Sequence, residues 1–248
     1  MLALSTTAIT AVTPALTPAH RRRLRQLWRS AGWPAQDNIE LELLAAGLVD
    51  RVRDDHGRET LRVTDSGVQL LAATLQKNRA AFDAHEALVQ RVALEMQRAG
   101  RLAWRGLRLR APPLAADGPR VWPVVMPDVF SIRHTTVEDH VEPIVHEVKV
   151  RRADLLGDLR HEAKRAAYLG LASQCWYVLK AGIGDAGDVP PECGVMLAHE
   201  HGLEVLRPAP RRPLRLPLAT WMALARADAL APPDDDGQAL LGDAGTAP

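Results

Sequence analysis

The chain predicts an α/β fold: a mixed central sheet flanked by helices, preceded by a small helical domain that carries a two-stranded hairpin. Three observations carry this expectation. Hydrophobic residues make up 47% and charged residues 25% of 248 positions, enough to fill the cores of one large or two small domains. The first third has helical apolar spacing, interrupted by two short β-rich words around a turn at 54–58. Further on, Val- and Ile-rich runs alternate with helical ones, as they do when helices cover a sheet.

The elements follow in order. Residues 1–19 are rich in Ala, Thr and Pro and hold no Arg or Lys; a flexible tail is expected, and a secretory signal is not. A helix is predicted over 20–32, with Leu24, Leu27 and Trp28 on one face, and Pro34 ends the run. A second spans 35–46, with Ile39, Leu43 and Leu44 apolar and Gly47 as its C-terminal cap. Strands at 48–52 and 61–64 flank the turn, and Thr64 is placed to cap a helix that starts at Asp65.

Another helix is expected over 83–98, stopped by Gly100, then a strand over 101–110 and a loop over 111–120. Strands are expected at 121–133, 143–150 and 174–181. A single helix covers 154–169, with Leu156, Leu159, Ala163 and Ala166 as its apolar side. A hairpin (194–198 and 203–207) turns at His201-Gly202, and a closing helix spans 218–227. Residues 230–248, with Pro232-Pro233 and Asp234-Asp235-Asp236, read as a disordered acidic tail.

The words Ala46-Gly47-Leu48-Val49 and Leu61-Arg62-Val63-Thr64-Asp65-Ser66-Gly67 resemble the junctions of a winged-helix domain, over about residues 20–76. The expected division is a tail (1–19), a winged-helix domain (20–80), the α/β domain (81–229) and the acidic tail (230–248). The resemblance implies DNA binding, through Arg21, Arg22, Arg23 and Arg25 on the first helix and Arg51, Arg53 and Arg58 on the wing. The would-be recognition helix argues the other way. It carries Asp37, Glu40 and Glu42, which repel phosphate, and only Asn38 suits a base edge. Contact with a protein therefore stays open.

Formal net charge is only +1, so any attraction to a polyanion must be local, at the arginine clusters 21–29 and 98–110. The two cysteines, Cys175 and Cys193, form no metal-binding or disulfide pattern and read as buried thiols. None of the nine histidines shows zinc spacing; His146 reads as a hydrogen-bonded core residue. No apolar run approaches the roughly 18 residues of a spanning helix, and a cytoplasmic protein without a membrane partner is expected.

The chemistry concentrates in Pro127-Asp128 and in His146-Glu147-Val148-Lys149-Val150. Side chains alternate along a strand, so Glu147 and Lys149 share one face while Ile144, Val148 and Val150 take the other. Two carboxylates can hold a hard cation such as Mg²⁺. Such an ion lowers the barrier to phosphodiester hydrolysis by activating water and neutralising developing charge. Lys149 can orient the water or stabilise the oxyanion. A second Glu-x-Lys word, Glu162-Ala163-Lys164, lies in a predicted helix, where residues two apart do not share a face. With 4 Lys against 27 Arg, a lysine kept at 149 asks for a compact point charge.

This arrangement resembles the PD-(D/E)xK nuclease superfamily, which includes restriction endonucleases and archaeal Holliday-junction resolvases, over roughly residues 83–207. The resemblance implies a restriction-endonuclease-like core with Asp128, Glu147 and Lys149 as catalytic residues. The metal would be Mg²⁺, with Mn²⁺ substituting, held by Asp128, Glu147 and the backbone carbonyl of Val148. Relatives add a Glu from an earlier helix. Glu86 is the candidate, with Gln90 one turn on, although Asp83-Ala84-His85-Glu86 also has capping-box spacing. Arg160, Lys164 and Tyr168 form one stripe on a continuous helix, placed to hold the substrate phosphate, or else a solvated face.

The expected function is metal-dependent hydrolysis of DNA phosphodiester bonds, in genome defence, mobile-element or repair contexts by analogy alone. A double-strand cutter with one site per chain would act as a homodimer. The alternative is a non-enzymatic winged-helix DNA-binding or regulatory protein whose inactive nuclease-like domain docks a partner.

Overall fold

A computed structural model of the chain describes residues 15–113 and 122–231. Most of the expected N-terminal tail, the acidic tail from residue 232 onward, residues 114–120 of the expected loop and residue 121 of the strand expected after it lie outside the described residues. The chain divides into two compact units, Met1–Ala80 and Ala81–Pro248.

In the first unit, α1 (Pro18–Arg29) starts on a proline, where a missing N–H costs nothing. α2 (Asn38–Ala45) starts later than expected because Asp37 caps it, its carboxylate accepting from Glu40 N at 2.9 Å. Strands β1 (Val49–Arg53) and β2 (Glu59–Val63) pair antiparallel. Thr64 caps the next helix as expected: its hydroxyl accepts from Gly67 N at 3.1 Å and donates to Gly47 O at 2.7 Å. Leu24, Leu27, Leu43, Val49, Leu61, Val63 and Leu71 close this unit's core.

That next helix corrects the sequence reading. α3 runs unbroken from Asp65 to Arg98, 34 residues, where two helices were expected. No Gly or Pro interrupts 68–99, so nothing stops the helix at residue 83. Asp83 is therefore inside a helix, and a capping role for Glu86 falls away.

The second unit is built on a six-stranded mixed sheet. Its strands are β3 (Arg101–Arg105), β6 (Val129–Arg133), β7 (Ile144–Lys149), β8 (Gln174–Lys180), β9 (Gly194–Ala198) and β10 (Leu203–Arg207). The spatial order is β10-β9-β8-β7-β6-β3, with β7, β8 and β9 parallel and the other neighbours antiparallel. The expected strands at 101–110 and 121–133 each split. Gly106, at φ 56°, turns the chain out of β3, and β4 (Leu109–Arg110) pairs with β5 (Val124–Val125) apart from the main sheet.

Both faces of the sheet are covered. Leu88, Val89, Val92 and Ala93 of α3 pack on Ala103, Val129, Val148, Val178 and Ala198. The other face buries Phe130, Val145, Tyr177, Leu179 and Val195 beneath α4 (Arg152–Leu159), α5 (Glu162–Leu169) and α6 (Leu218–Arg226). The break between α4 and α5 at Arg160-His161 is the second correction, because one helix was expected here. It rotates the later residues, so Leu155, Ala167 and Tyr168 are buried, while Leu156 is 40% exposed and Ala163 is exposed. Among the described residues, no helix is long and apolar enough to cross a membrane.

Candidate active site

β7 is the middle of the site. Lying between β6 and β8, it is buried on both faces, where a polar side chain without partners costs free energy. Glu147 and Lys149 point to the α4–α5 face, as alternation requires. Their side chains are only 6% and 11% exposed, and Lys149 Nζ donates to Glu147 Oε1 at 2.7 Å.

Asp128 enters from the neighbouring strand. The register of β6 with β7 ends at Val129↔His146. Two residues further on, Val148 N donates to Asp128 Oδ2 at 2.7 Å, a carboxylate in place of a ladder carbonyl. Gly106 N holds the Asp128 backbone by donating to its carbonyl at 3.1 Å. A residue in an extended strand directs its N–H and C=O to the same edge, so the Val148 carbonyl faces the edge that Asp128 occupies. Asp128 is thus tied to β7 at Val148, the residue between Glu147 and Lys149.

α4 and α5 complete a buried polar network. Lys164 Nζ donates to Glu147 Oε1 and to Asp158 Oδ1, both at 2.6 Å. Tyr168 OH lies 3.0 Å from Glu147 Oε2 and 3.2 Å from Met126 O, two acceptors that share one proton. Its ring lies 5.4 Å below the Lys164 ammonium, within cation–π range. Tyr177 OH donates to Asp158 Oδ2 at 2.8 Å, and Lys149 Nζ is 3.5 Å from Asp158 Oδ1.

The charges in this network set its protonation. Burial alone would raise the Asp158 carboxyl, but Lys149, Lys164 and the Tyr177 hydroxyl outweigh it and hold the group below its ordinary value. Burial alone would lower Lys164, and Glu147 with Asp158 reverses that. Burial, reinforced by the Glu147 carboxylate, keeps Tyr168 a protonated phenol. Tyr177 is held likewise by burial and by Asp158.

A second chain of contacts reaches Asp128 from α3. Arg105 donates to Glu86 Oε2 at 2.8 Å and to Gln90 Oε1 at 2.5 Å. His85 Nδ1 lies 3.2 Å from Glu86 Oε1, and its Nε2 lies 3.4 Å from Asp128 Oδ2. The hydrogen bond to Asp128 raises His85 above its ordinary value. Glu86 and Gln90 therefore connect to Asp128 only through Arg105 and His85.

The expected residues sort as follows. Glu147, Lys149, Lys164 and Tyr168 come together, and Asp128 joins them through the Val148 N–H; Arg160 caps the end of α4 and is exposed, away from the stripe. Lys164 belongs to the Glu-x-Lys word that spacing set aside, yet it bonds the Glu of the other word. Asp158, Tyr177, His85 and Arg105 were missed. His146 is a core residue, but Nδ1 has no partner among the described residues, and burial with nearby Arg101 pushes its pKa down to about 3. Cys175 and Cys193 are buried thiols.

The donor set matches a hard cation in kind. Two carboxylates and a carbonyl are all oxygen, with water completing the shell, and Asp128 Oδ1 accepts no hydrogen bond among the described residues. Those residues contain no cluster of three His, Cys, Asp or Glu arranged around one point. An ion here would thus rest on two carboxylates and compete with Lys164 for Glu147.

No family model matches the chain, and neither does any curated protein. Among solved structures it is similar to the SPO1766 protein of unknown function from Silicibacter pomeroyi. That match has 22% identity and a TM-score of 0.37 over 52% of this chain and 73% of the other.

Proposed function

We propose that this chain is a metal-dependent nuclease that hydrolyses DNA phosphodiester bonds, with a PD-(D/E)xK-type site in its α/β unit and a winged-helix domain before it. One observation carries the reading. The Asp128 carboxylate is bonded to the backbone N–H of Val148, the residue between Glu147 and Lys149. In this reading two acids, a carbonyl and an ammonium would act together at one strand end.

Asp128, Glu147 and the Val148 carbonyl would hold Mg²⁺, or Mn²⁺ in its place. When bound, the ion supplies an acidified water and neutralises charge on the phosphoryl oxygens. The Lys149 ammonium would orient the attacking water and stabilise the negative charge that grows as the new P–O bond forms and the ester P–O bond breaks. Lys164 and Tyr168 hold Glu147 from the helix side; with Glu147 engaged by a cation, Lys164 would be free to face the phosphate. A homodimer would place two such sites on opposite strands of a duplex.

One observation favours a second reading. Glu147 already carries two ammonium groups and a phenol, a self-neutralised cluster that suits an inactive domain docking a partner. Plasmid cleavage with Mg²⁺ or Mn²⁺ decides between them. Wild type should nick or linearise the plasmid, and Lys149→Ala and Asp128→Ala should not. Equal activity in all three sinks the mechanism, and no cleavage by any of them under any condition supports the docking module.

A further inference from the structure

The arginines of the first unit fall into two groups. Arg23 is paired with Asp37 at 2.6 Å, Arg53 with Glu59 at 2.6 Å and Arg58 with Asp54 at 2.9 Å. Arg51 lies 3.5 Å from the buried Glu40 and 3.8 Å from Glu59. All three wing arginines expected to grip DNA are therefore occupied by carboxylates of their own unit. Arg62 on β2 and Arg79 on α3 have no ion-pair partner among the described residues, and neither do Arg21, Arg22, Arg25 and Arg29 of α1, a helix that contains no acid.

These four share one side of α1. His20, Leu24 and Leu27 are the buried residues of the helix. At 3.6 residues per turn, Arg21, Arg22, Arg25 and Arg29 fall on the opposite half, with Trp28 at its margin, 57% exposed. Arg25, Trp28 and Arg29 also border a cavity of about 210 Å³ floored by Val68, Leu71 and Leu75, against which the arginine stems can lie while their heads stay in water.

α2 is poorly built for the same task. Glu40 is fully buried, its Oε2 accepting from Ala35 N and Gln36 N at 2.6 and 2.8 Å. Glu42 is hydrogen-bonded to His20. What α2 leaves outside is Leu41, 57% exposed, with Asn38 and Ala45, none of them a cation.

We infer that the solvent face of α1, rather than α2 or the wing, is where this chain holds a DNA duplex, by its phosphate backbone and without reading sequence. The spacing fits. Arg22 and Arg29 are seven residues apart, about 10 Å along a helix, and about 10 Å of duplex axis carries about three phosphates per strand. Guanidinium forks bind phosphate bidentately, and α1 carries arginine and no lysine. The choice of DNA over another polyanion rests on the nuclease reading above.

The test is binding of full-length protein to a fluorescent random-sequence duplex, by anisotropy, in chelator and across a series of KCl concentrations, so that cleavage plays no part. Replacing Arg22, Arg25 and Arg29 together by Ala should flatten the slope of log affinity against log salt by roughly 3. Affinity at 0.1 M salt should fall about 10-fold or more. The same three positions changed to Lys should keep most of the slope, which guards against a folding defect. Arg51→Ala, Arg53→Ala and Arg58→Ala together should change it little. The inference is overturned if wild type does not bind, if the wing variant loses more than the α1 variant, or if α1 governs binding only to phosphatidylserine vesicles. Binding through α1 without any plasmid cleavage sinks the nuclease reading and leaves this one standing.

Discussion

Lys164 on α5 donates to Asp158 near the end of α4 at 2.6 Å, and the same ammonium bonds Glu147 on β7. One cation thus ties two helices to the central strand. Asp158 has little freedom in this arrangement, because its side chain is 9% exposed and its other oxygen takes the Tyr177 hydroxyl. Removing it leaves Lys149 and Lys164 sharing a single buried carboxylate.

Asp158→Ala should therefore destabilise the protein by about 3 kcal/mol or more, the cost of breaking a buried ion pair from one side. Asp158→Asn, which keeps an acceptor for Tyr177, should cost about 1–2 kcal/mol. Urea unfolding followed by circular dichroism measures both. A loss under about 0.5 kcal/mol for the alanine variant, as at an exposed site, contradicts the network's structural role.

The same residue sets a pH dependence. Its folded pKa is depressed, so the stability it contributes is fully present above the unfolded value of about 3.9. That contribution disappears as pH falls through the lower folded value. The stability gap between wild type and Asp158→Asn should be constant from neutral pH down to about 5 and then close in more acid solution. A gap that widens on acidification would mean that Asp158 is not charged in the folded state.

Gly32 tests the first unit. It sits at φ +74°, and a Cβ built there would lie 2.2 Å from the carbonyl oxygen of Leu61, whose N–H donates to Gly32 O at 2.7 Å. Backbone meets backbone, so no rotamer change relieves the clash. Gly32→Ala should cost more than the roughly 1–2 kcal/mol of left-handed strain alone. Gly57→Ala, also at positive φ but with open space around its Cβ, should cost only that strain. Equal losses in thermal melts of the two variants would contradict the packing against Leu61.

What could be read from the sequence was whatever depended on neighbours in sequence. Alternation placed Glu147 and Lys149 on one face, and Thr64 announced a helix start. The site's other half depends on a helix break that no Gly or Pro marks at Arg160-His161. Without that break, a continuous helix carries Arg160 along with Lys164 and Tyr168, and Asp158 has no reason to face Glu147. His85 is hidden in the sequence for a related reason: the Asp83-to-Glu86 spacing mimics a cap, while in the continuous α3 His85 is the residue that reaches Asp128.

If the nuclease reading holds, Lys149→Ala should lower single-turnover cleavage by about 10²–10³-fold, the usual loss on removing one group that stabilises developing charge. Lys149→Arg should not restore it. The planar guanidinium is larger than the ammonium that fits between Glu147 and Asp158 in a site 11% exposed. Wild-type rates in the arginine variant would show that position 149 needs only positive charge.

Asp128→Asn separates architecture from chemistry. The amide oxygen of Asn can still accept from Val148 N, so the link between β6 and β7 survives and stability should change by under about 1.5 kcal/mol. The substitution removes one of the two carboxylates proposed to hold a divalent ion, so calorimetric titration with Mn²⁺ should show at least about 10-fold weaker binding than wild type. Cleavage should fall in step with ion occupancy and recover in part at high Mn²⁺. A variant that binds Mn²⁺ as wild type does while losing cleavage would assign Asp128 a role other than metal ligand. A variant that unfolds would show that the charge on Asp128, and not merely its acceptor oxygen, holds the strand ends together.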